Sequence, residues 1–348
     1  MFESFEFETL TAPQAAVYLG LVLGVLFGAL AQVTRFCLRR AVAGEDAERR
    51  PALGVWLAAL AAAVLGTQGA VAAGWISFDE HRFLAADLPV LAILAGGLMF
   101  GAGMVLTRGC VSRMTVLLAG GNLRALSVLL IFAVTAHATL KGVLAPLRTA
   151  LGSVTVPLES AALPGAPLVW TGLIVATALF FAWRSGARPL QLGLAVLLGL
   201  LVPAGWIGTG FVLFDDFDPI ALQSLSFTAP FADTLFWGIA STSIPASFGV
   251  GLVGGTLAGA FVLTLARREF QWQSFAAPAQ TGRYALGAML MGVGGVLAGG
   301  CTVGAGLAGI PTLSLAAVLA ISAIVAGALA ANRTLQGRGL PRAAIPAE

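Results

Sequence analysis

The chain has 348 residues, 58% of them hydrophobic and only 10% charged, with a mean hydropathy of +0.94. Soluble domains carry about 25% charged residues, so this composition excludes one, and a net charge of +3 whose basic residues sit at the ends of apolar runs offers no patch for nucleic acid. The apolar runs are continuous rather than alternating, which excludes a β-barrel and predicts an all-α polytopic membrane protein.

Membrane helices are expected at about 15–36, 53–77, 90–107, 125–145, 167–183, 190–212, 245–266, 285–298 and 313–331. Met1–Leu10 is acidic, unlike a secretory signal, which starts basic. With nine alternating crossings and the N-terminus outside, 16 of the 19 basic residues fall inside and 11 of the 16 acids outside, so the C-terminus is expected inside. Asp215-Asp216-Asp218 belongs to the outer set, and Arg82, Lys141 and Arg148 are the outer cations. Pro146–Pro167 reads as an outer loop, Ser224–Ala229 and Ser241–Gly249 as irregular gates, and the tail after Ala331 as disordered. No separate soluble domain is expected: residues 1–348 read as one transmembrane domain with pseudo-repeats at about 15–150 and 165–331.

A glycine-rich motif recurs along this plan. Gly96–Cys110 aligns without a gap with Gly287–Cys301, with identities at Gly96/Gly287, Gly101/Gly292, Gly103/Gly294, Val105/Val296, Leu106/Leu297, Gly109/Gly300 and Cys110/Cys301. A fainter copy runs from Gly24 to Cys37, matching in Phe27-Gly28-Ala29 and Thr34-Arg35-x-Cys37. The chain has three cysteines, and each ends a copy. The Cys110 copy would run inward and the Cys301 copy outward, the sign of an inverted repeat. Both are short and followed by another short apolar run, so broken or re-entrant helices meeting near mid-membrane are expected. The likeness of Gly20–Ala29 to Gly251–Ala260 keeps one orientation and reads as small-residue packing.

Each motif residue has a bland and a sharp reading. A buried cysteine is usually a small hydrophobe; three at repeated motif ends suit a soft sulfur-bearing solute or a soft metal such as Cu(I). Gly109 and Gly300 either let helices pack or turn backbone N–H groups toward a passing anion. Arg35, Arg40, Arg108 and Arg113 either anchor the inner interface or form an anion-attracting funnel. Trp75, Trp206 and Trp237 read as interface anchors, His81 as a solvated loop residue and Asp233 as the nearest intramembrane acid. No GxxxxGK[ST] motif occurs. An intramembrane thiol–disulfide enzyme would need paired cysteines, and these are isolated in sequence.

Arg108-Gly109-Cys110-Val111-Ser112-Arg113 with Gly120-Gly121-Asn122-Leu123-Arg124 resembles the YeeE/YedE family of sulfur-compound transporters. Thr34–Ala41 and Gly299–Gly304 are similar to the family's other two cysteine motifs, and the resemblance covers nearly the whole chain. It implies an inner-membrane protein with inverted halves that imports thiosulfate, the ion being handed along thiols by S–H···S hydrogen bonds. By motif match Cys110 would be the central thiol, with Cys37 and Cys301 on the path. Thiosulfate is a dianion with one soft sulfur, and the expected substrate-binding set is Cys37, Cys110, Cys301, Gly109, Gly300, Arg108, Arg35 and Thr302. The expectation is a transporter rather than an enzyme, with no cofactor. Some relatives fuse a sulfur-carrier domain with a Cys-Pro motif; lacking it, this chain would meet such a carrier as a separate partner. A permease for another sulfur or selenium species, or for a soft metal, is the alternative.

Overall fold

The computed structural model describes residues 10–158, 160–215, 218–275 and 277–337. The acidic start and the last proline-bearing residues lie outside these, as do Asp216 of the acidic cluster and the arginines beyond 337. The chain is almost wholly helical: α1 (Ala12–Thr34), α2 (Leu38–Ala43), α3 (Asp46–Ala72), α4 (Val90–Leu106), α5 (Val111–Ala119), α6 (Leu123–Lys141), α7 (Ala145–Gly152), α8 (Pro167–Trp183), α9 (Pro189–Ile207), α10 (Thr228–Ala240), α11 (Phe248–Ala266), α12 (Pro278–Leu297) and α13 (Leu315–Gly337). Among the described residues, eight helical segments are long and apolar enough to cross a membrane, and α8 is a shorter apolar helix. Each expected membrane helix has a counterpart, shifted by a few residues at its ends.

Local chemistry sets the helix starts. A reciprocal Thr11/Gln14 capping box opens α1 (3.3 and 3.4 Å). Asn122 caps α6 by accepting from the backbone N–H of Arg124 and Ala125. Prolines in the first turn open α8, α9 and α12, where a missing N–H costs nothing. Large apolar side chains such as Leu168, Leu190, Leu197 and Val262 stay exposed on the outside of the bundle, where lipid rather than water suits them.

Two glycine-mediated pairs hold the centre. Gly20, Gly24 and Gly28 of α1 face Phe248–Ala260 of α11, and Gly251, Gly255 and Gly259 face back on Val17, Leu21 and Val25. Contacts advance together along both helices, so the two run parallel, backbone against backbone; the small-residue packing read in each segment turns out to be packing of one on the other. In α4 and α12 the order reverses: Gly96 meets Gly294 and Ala298, while Gly103 meets Gly287 and Met291. These helices are antiparallel, and the Gly96–Gly294 contact maps onto Gly103–Gly287 when the two copies exchange.

Three expectations change. Residues 228–240, where no helix was expected, form α10, while 224–227 and 241–247 on either side of it are irregular as read. The Pro146–Pro167 segment carries α7 and a short strand, β2 (Val156–Pro157), which pairs antiparallel with β1 (Asp87–Leu88). Residues 332–337 continue α13 instead of opening a disordered tail.

Candidate functional site

In all three motif copies a long helix stops, one residue takes a left-handed backbone, and two residues later a cysteine opens a second helical segment. The left-handed residues are Arg35 (φ 51°), Arg108 (φ 64°) and Gly299 (φ 76°). Cys37 opens α2, Cys110 opens α5, and Cys301 opens a π-helical turn, Thr302–Leu307. The left-handed turn closes the first helix: Arg108 N–H donates to Val105 O at 3.3 Å and Gly299 N–H to Val296 O at 3.2 Å. A non-glycine residue there costs about 1–2 kcal/mol, and strain of this kind collects where function holds it.

The breaks converge. All three thiols are free and buried. Cys110 and Cys37 are close neighbours, and Thr302 also lies beside Cys110. Cys110 Sγ lies 3.2 Å from Ser112 Oγ. Cys301 Sγ accepts from the backbone N–H of Gly304 at 3.4 Å. Cys110 therefore bridges from Cys37 to the residue that follows Cys301. Arg39 and Arg113 act electrostatically on Cys37, and Arg82 on Cys301.

A cavity opens on each side of this group. The larger, about 1900 Å³, lies where α3 and α9 end; His81, Arg82, Phe83, Trp206, Ser226 and Gly304 line it, and Gly304 brings it to Cys301. The smaller, about 630 Å³, lies where α1 and α11 end, with Arg35, Arg113, Arg124, Arg267 and Arg268 in its wall, and Arg113 brings it to Cys37.

The predicted residues divide accordingly. Cys37, Cys110 and Thr302 meet, with Cys301 one residue further along. Gly109 and Gly300 are buried beside their cysteines. A Cβ on Gly109 would meet Met114 Cε at 2.7 Å, a flexible side-chain end, whereas one on Gly300 would meet the backbone N of Ala305 at 2.8 Å. Arg35 is exposed on the smaller cavity. Arg108 is half-buried and sits near Arg39 and Arg283. Arg113 is buried at 8% exposure, not spread at an interface.

Two readings are corrected. His81 is not a solvated loop residue: it packs among Phe78, Phe83 and Trp206, and its Nδ1 accepts from Phe83 N–H at 3.3 Å. Burial and the adjacent Arg82 pull its pKa down to about 4. Trp206 is buried in that cluster rather than anchored at an interface; Trp75 is exposed and stacks on Phe211.

The sequence reading missed Phe83, whose ring lies beside Gly299 under the Arg82 guanidinium, 5.0 Å from the ring centre. It also missed a strap on the arginine-rich side. Gln271 and Gln273 donate backbone N–H to Gly120 O and Gly121 O, both at 3.1 Å, and Leu123 N–H returns a bond to Gln273 O at 2.8 Å. Long-range pairing of this sort carries no local sequence signal.

The family model described as sulphur transport matches residues 33–330. The chain is similar to the thiosulfate transporter TsuA of Spirochaeta thermophila, 28% identical over 324 residues covering 87% of this chain and 94% of the relative. It is also similar to the thiosulfate transporter TsuA of Escherichia coli, 29% identical over 324 residues covering 83% and 86%. With the match running from before the first cysteine to beyond the last, the chain belongs to the sulphur-transport family of YeeE/YedE membrane proteins.

Proposed function

We propose that this protein takes up thiosulfate across the bacterial inner membrane through the cysteine group between its two cavities. The observation that carries the reading is the meeting of Cys110 with Cys37 and Thr302, with a cavity reaching each end of the group. The two relatives named as thiosulfate transporters supply the substrate. The soft terminal sulfur of the dianion takes S–H donors from the thiols. Backbone N–H groups at the starts of the second helical segments and the neighbouring arginines offset its charge.

The arginine bias sets the smaller cavity inside, with the N-terminus outside and the C-terminus inside. Cys301 then meets the ion first from the larger cavity, Cys110 passes it on, and Cys37 delivers it toward Arg113. The antiparallel α4 and α12 are the cores of inverted halves. A separate sulfur-carrier protein at the smaller cavity would receive the ion. A soft-metal permease is less well supported, because among the described residues no three His, Cys, Asp or Glu side chains are grouped to hold a metal.

The test is uptake of sulfur-labelled thiosulfate into proteoliposomes, wild type beside Cys110→Ala, with sulfate and selenite as outside competitors. Thiol-dependent uptake that ignores outside sulfate is expected. Equal uptake by a correctly inserted Cys110→Ala protein would sink the thiol path, and silence from the wild type would sink the substrate.

A further inference from the structure

We infer that the smaller cavity is a second anion site, selective for charge but not for sulfur, through which sulfate on that face inhibits transport. This rests on the reading that thiosulfate crosses the cysteine group. The wall carries five arginines, Arg35, Arg113, Arg124, Arg267 and Arg268, against one acid, Glu269. That acid is already engaged: Oε2 accepts from Gln32 Nε2 at 3.2 Å, and Oε1 lies 3.9 Å from Arg267 Nη1. Arg124 is buried at 7% exposure, yet its contacts go to neutral amide oxygens, Asn122 Oδ1 at 3.4 Å and Gln273 Oε1 at 2.7 Å. Among the described residues no carboxylate pairs with Arg124 or Arg268. A buried guanidinium without a counter-charge is costly, so the cavity calls for an anion.

Its chemistry also fixes what that anion is. No cysteine lines the wall, and apart from the engaged Glu269 its polar side chains are guanidinium, amide and hydroxyl groups, whose N–H and O–H donors recognise oxyanion oxygens. Nothing there can tell the terminal sulfur of thiosulfate from the fourth oxygen of sulfate; the two are tetrahedral dianions of similar size. Discrimination therefore belongs to the thiols, and the cavity beyond them holds either ion. Arg113 belongs to this wall and also acts on Cys37. A sulfate seated there blocks the ion leaving the last thiol. The larger cavity differs, since Asp79 and Glu80 line it with Arg82. Sulfate should therefore inhibit from one face only.

The site is read without transport by labelling the purified protein in detergent with phenylglyoxal and following each arginine by peptide mass spectrometry. Sulfate and thiosulfate, at ionic strength matched with chloride, should slow labelling of Arg35 and Arg268 several-fold and equally. Arg184 and Arg333, exposed elsewhere, should be unaffected. Cys110→Ala should keep this protection and Arg124→Gln should lose it. Unchanged labelling, protection by thiosulfate alone, or protection lost in Cys110→Ala would each overturn the site. In proteoliposomes with the smaller cavity facing the lumen, trapped sulfate should cut thiosulfate uptake several-fold while outside sulfate does not. Arg268→Gln should raise the trapped sulfate needed for half-inhibition, and inhibition equal from both faces would overturn the proposal. The two readings fail separately: protection without uptake removes the thiosulfate reading and leaves the site, and uptake without protection does the reverse.

Discussion

The Cys110 and Cys301 copies share a backbone plan and differ in what fills it. At the left-handed position one has Arg108 and the other Gly299. After the cysteine one continues as a nine-residue α-helix and the other as a six-residue π-helical turn. Cys110 shares its surroundings with Cys37, Ser112 and Thr302, whereas Cys301 bonds to an N–H of its own turn. One architectural solution thus serves two environments: one crowded with arginines that tolerates a strained arginine, and one with Arg82 facing Asp79 and Glu80 in the cavity wall, where glycine relaxes the same bend. What stays constant is the cysteine at the head of the second segment, and what varies is the charge beside it.

The largest expected effect tests the thiols. If Cys110 contributes a hydrogen bond to a charged solute, its removal forfeits about 1.5–3 kcal/mol, or roughly 10–150-fold in uptake. Cys301→Ala should lose less, because Cys110 adjoins both Cys37 and Thr302 and so joins the two ends of the group, whereas Cys301 stands at one end of it. Equal losses at the two positions would erase the distinction between the copies. Next come the glycines before each cysteine. Gly300→Ala forces a methyl onto backbone and should cost about 1–3 kcal/mol of stability. Gly109→Ala needs only the Met114 methyl to swing aside and should cost less; thermal unfolding in detergent ranks the pair. Arg108→Gly should raise stability by about 1 kcal/mol by removing left-handed strain, while lowering flux if the charge serves the ion. A variant neither more stable nor slower would show that Arg108 does neither job.

His81 comes last, because it is half-exposed and solvent screening leaves less of the effect than its shift alone implies. Its pKa is about 4 in the fold against an ordinary 6.5, so between those values the unfolded chain binds a proton that the folded chain does not. Stability should therefore fall as pH drops from 6.5 toward 4 and level off below. His81→Phe should flatten that slope, and an unchanged melting profile in the variant would place the acid sensitivity elsewhere.

How much was legible followed the range of the cause. Membrane helices announce themselves by local hydropathy, so α8 was placed to the residue; small-residue packing was readable in α1 and α11 from glycines four apart, but not that the two are each other's partners. The broken helices at Cys110 and Cys301 were visible because a short apolar run after each left no room for a full crossing; the break at Cys37 was not foreseen. α10 was missed because thirteen residues interrupted by Pro230 and Asp233 look too short and too polar to persist. His81 and Trp206 were misplaced because aromatic packing between distant segments decides their burial, and no local pattern encodes it. The arginine cavity was partly seen: Arg35, Arg113 and Arg124 stood in the motifs, but Arg267 and Arg268 join them because α11 runs parallel to α1 and ends beside it.

The seam between α1 and α11 has a mechanical meaning. Where side chains separate two helices, rotamer changes let one slide against the other; here main chain rests on main chain over three glycine steps from each side. With nothing compressible between them, the pair behaves as a single stave of double width. The α4–α12 crossing, which leads to Cys110 and Cys301, is built the same way from Gly96, Gly103, Gly287 and Gly294, so neither pair yields by sliding and the two act as rigid staves on which the cysteine breaks are mounted.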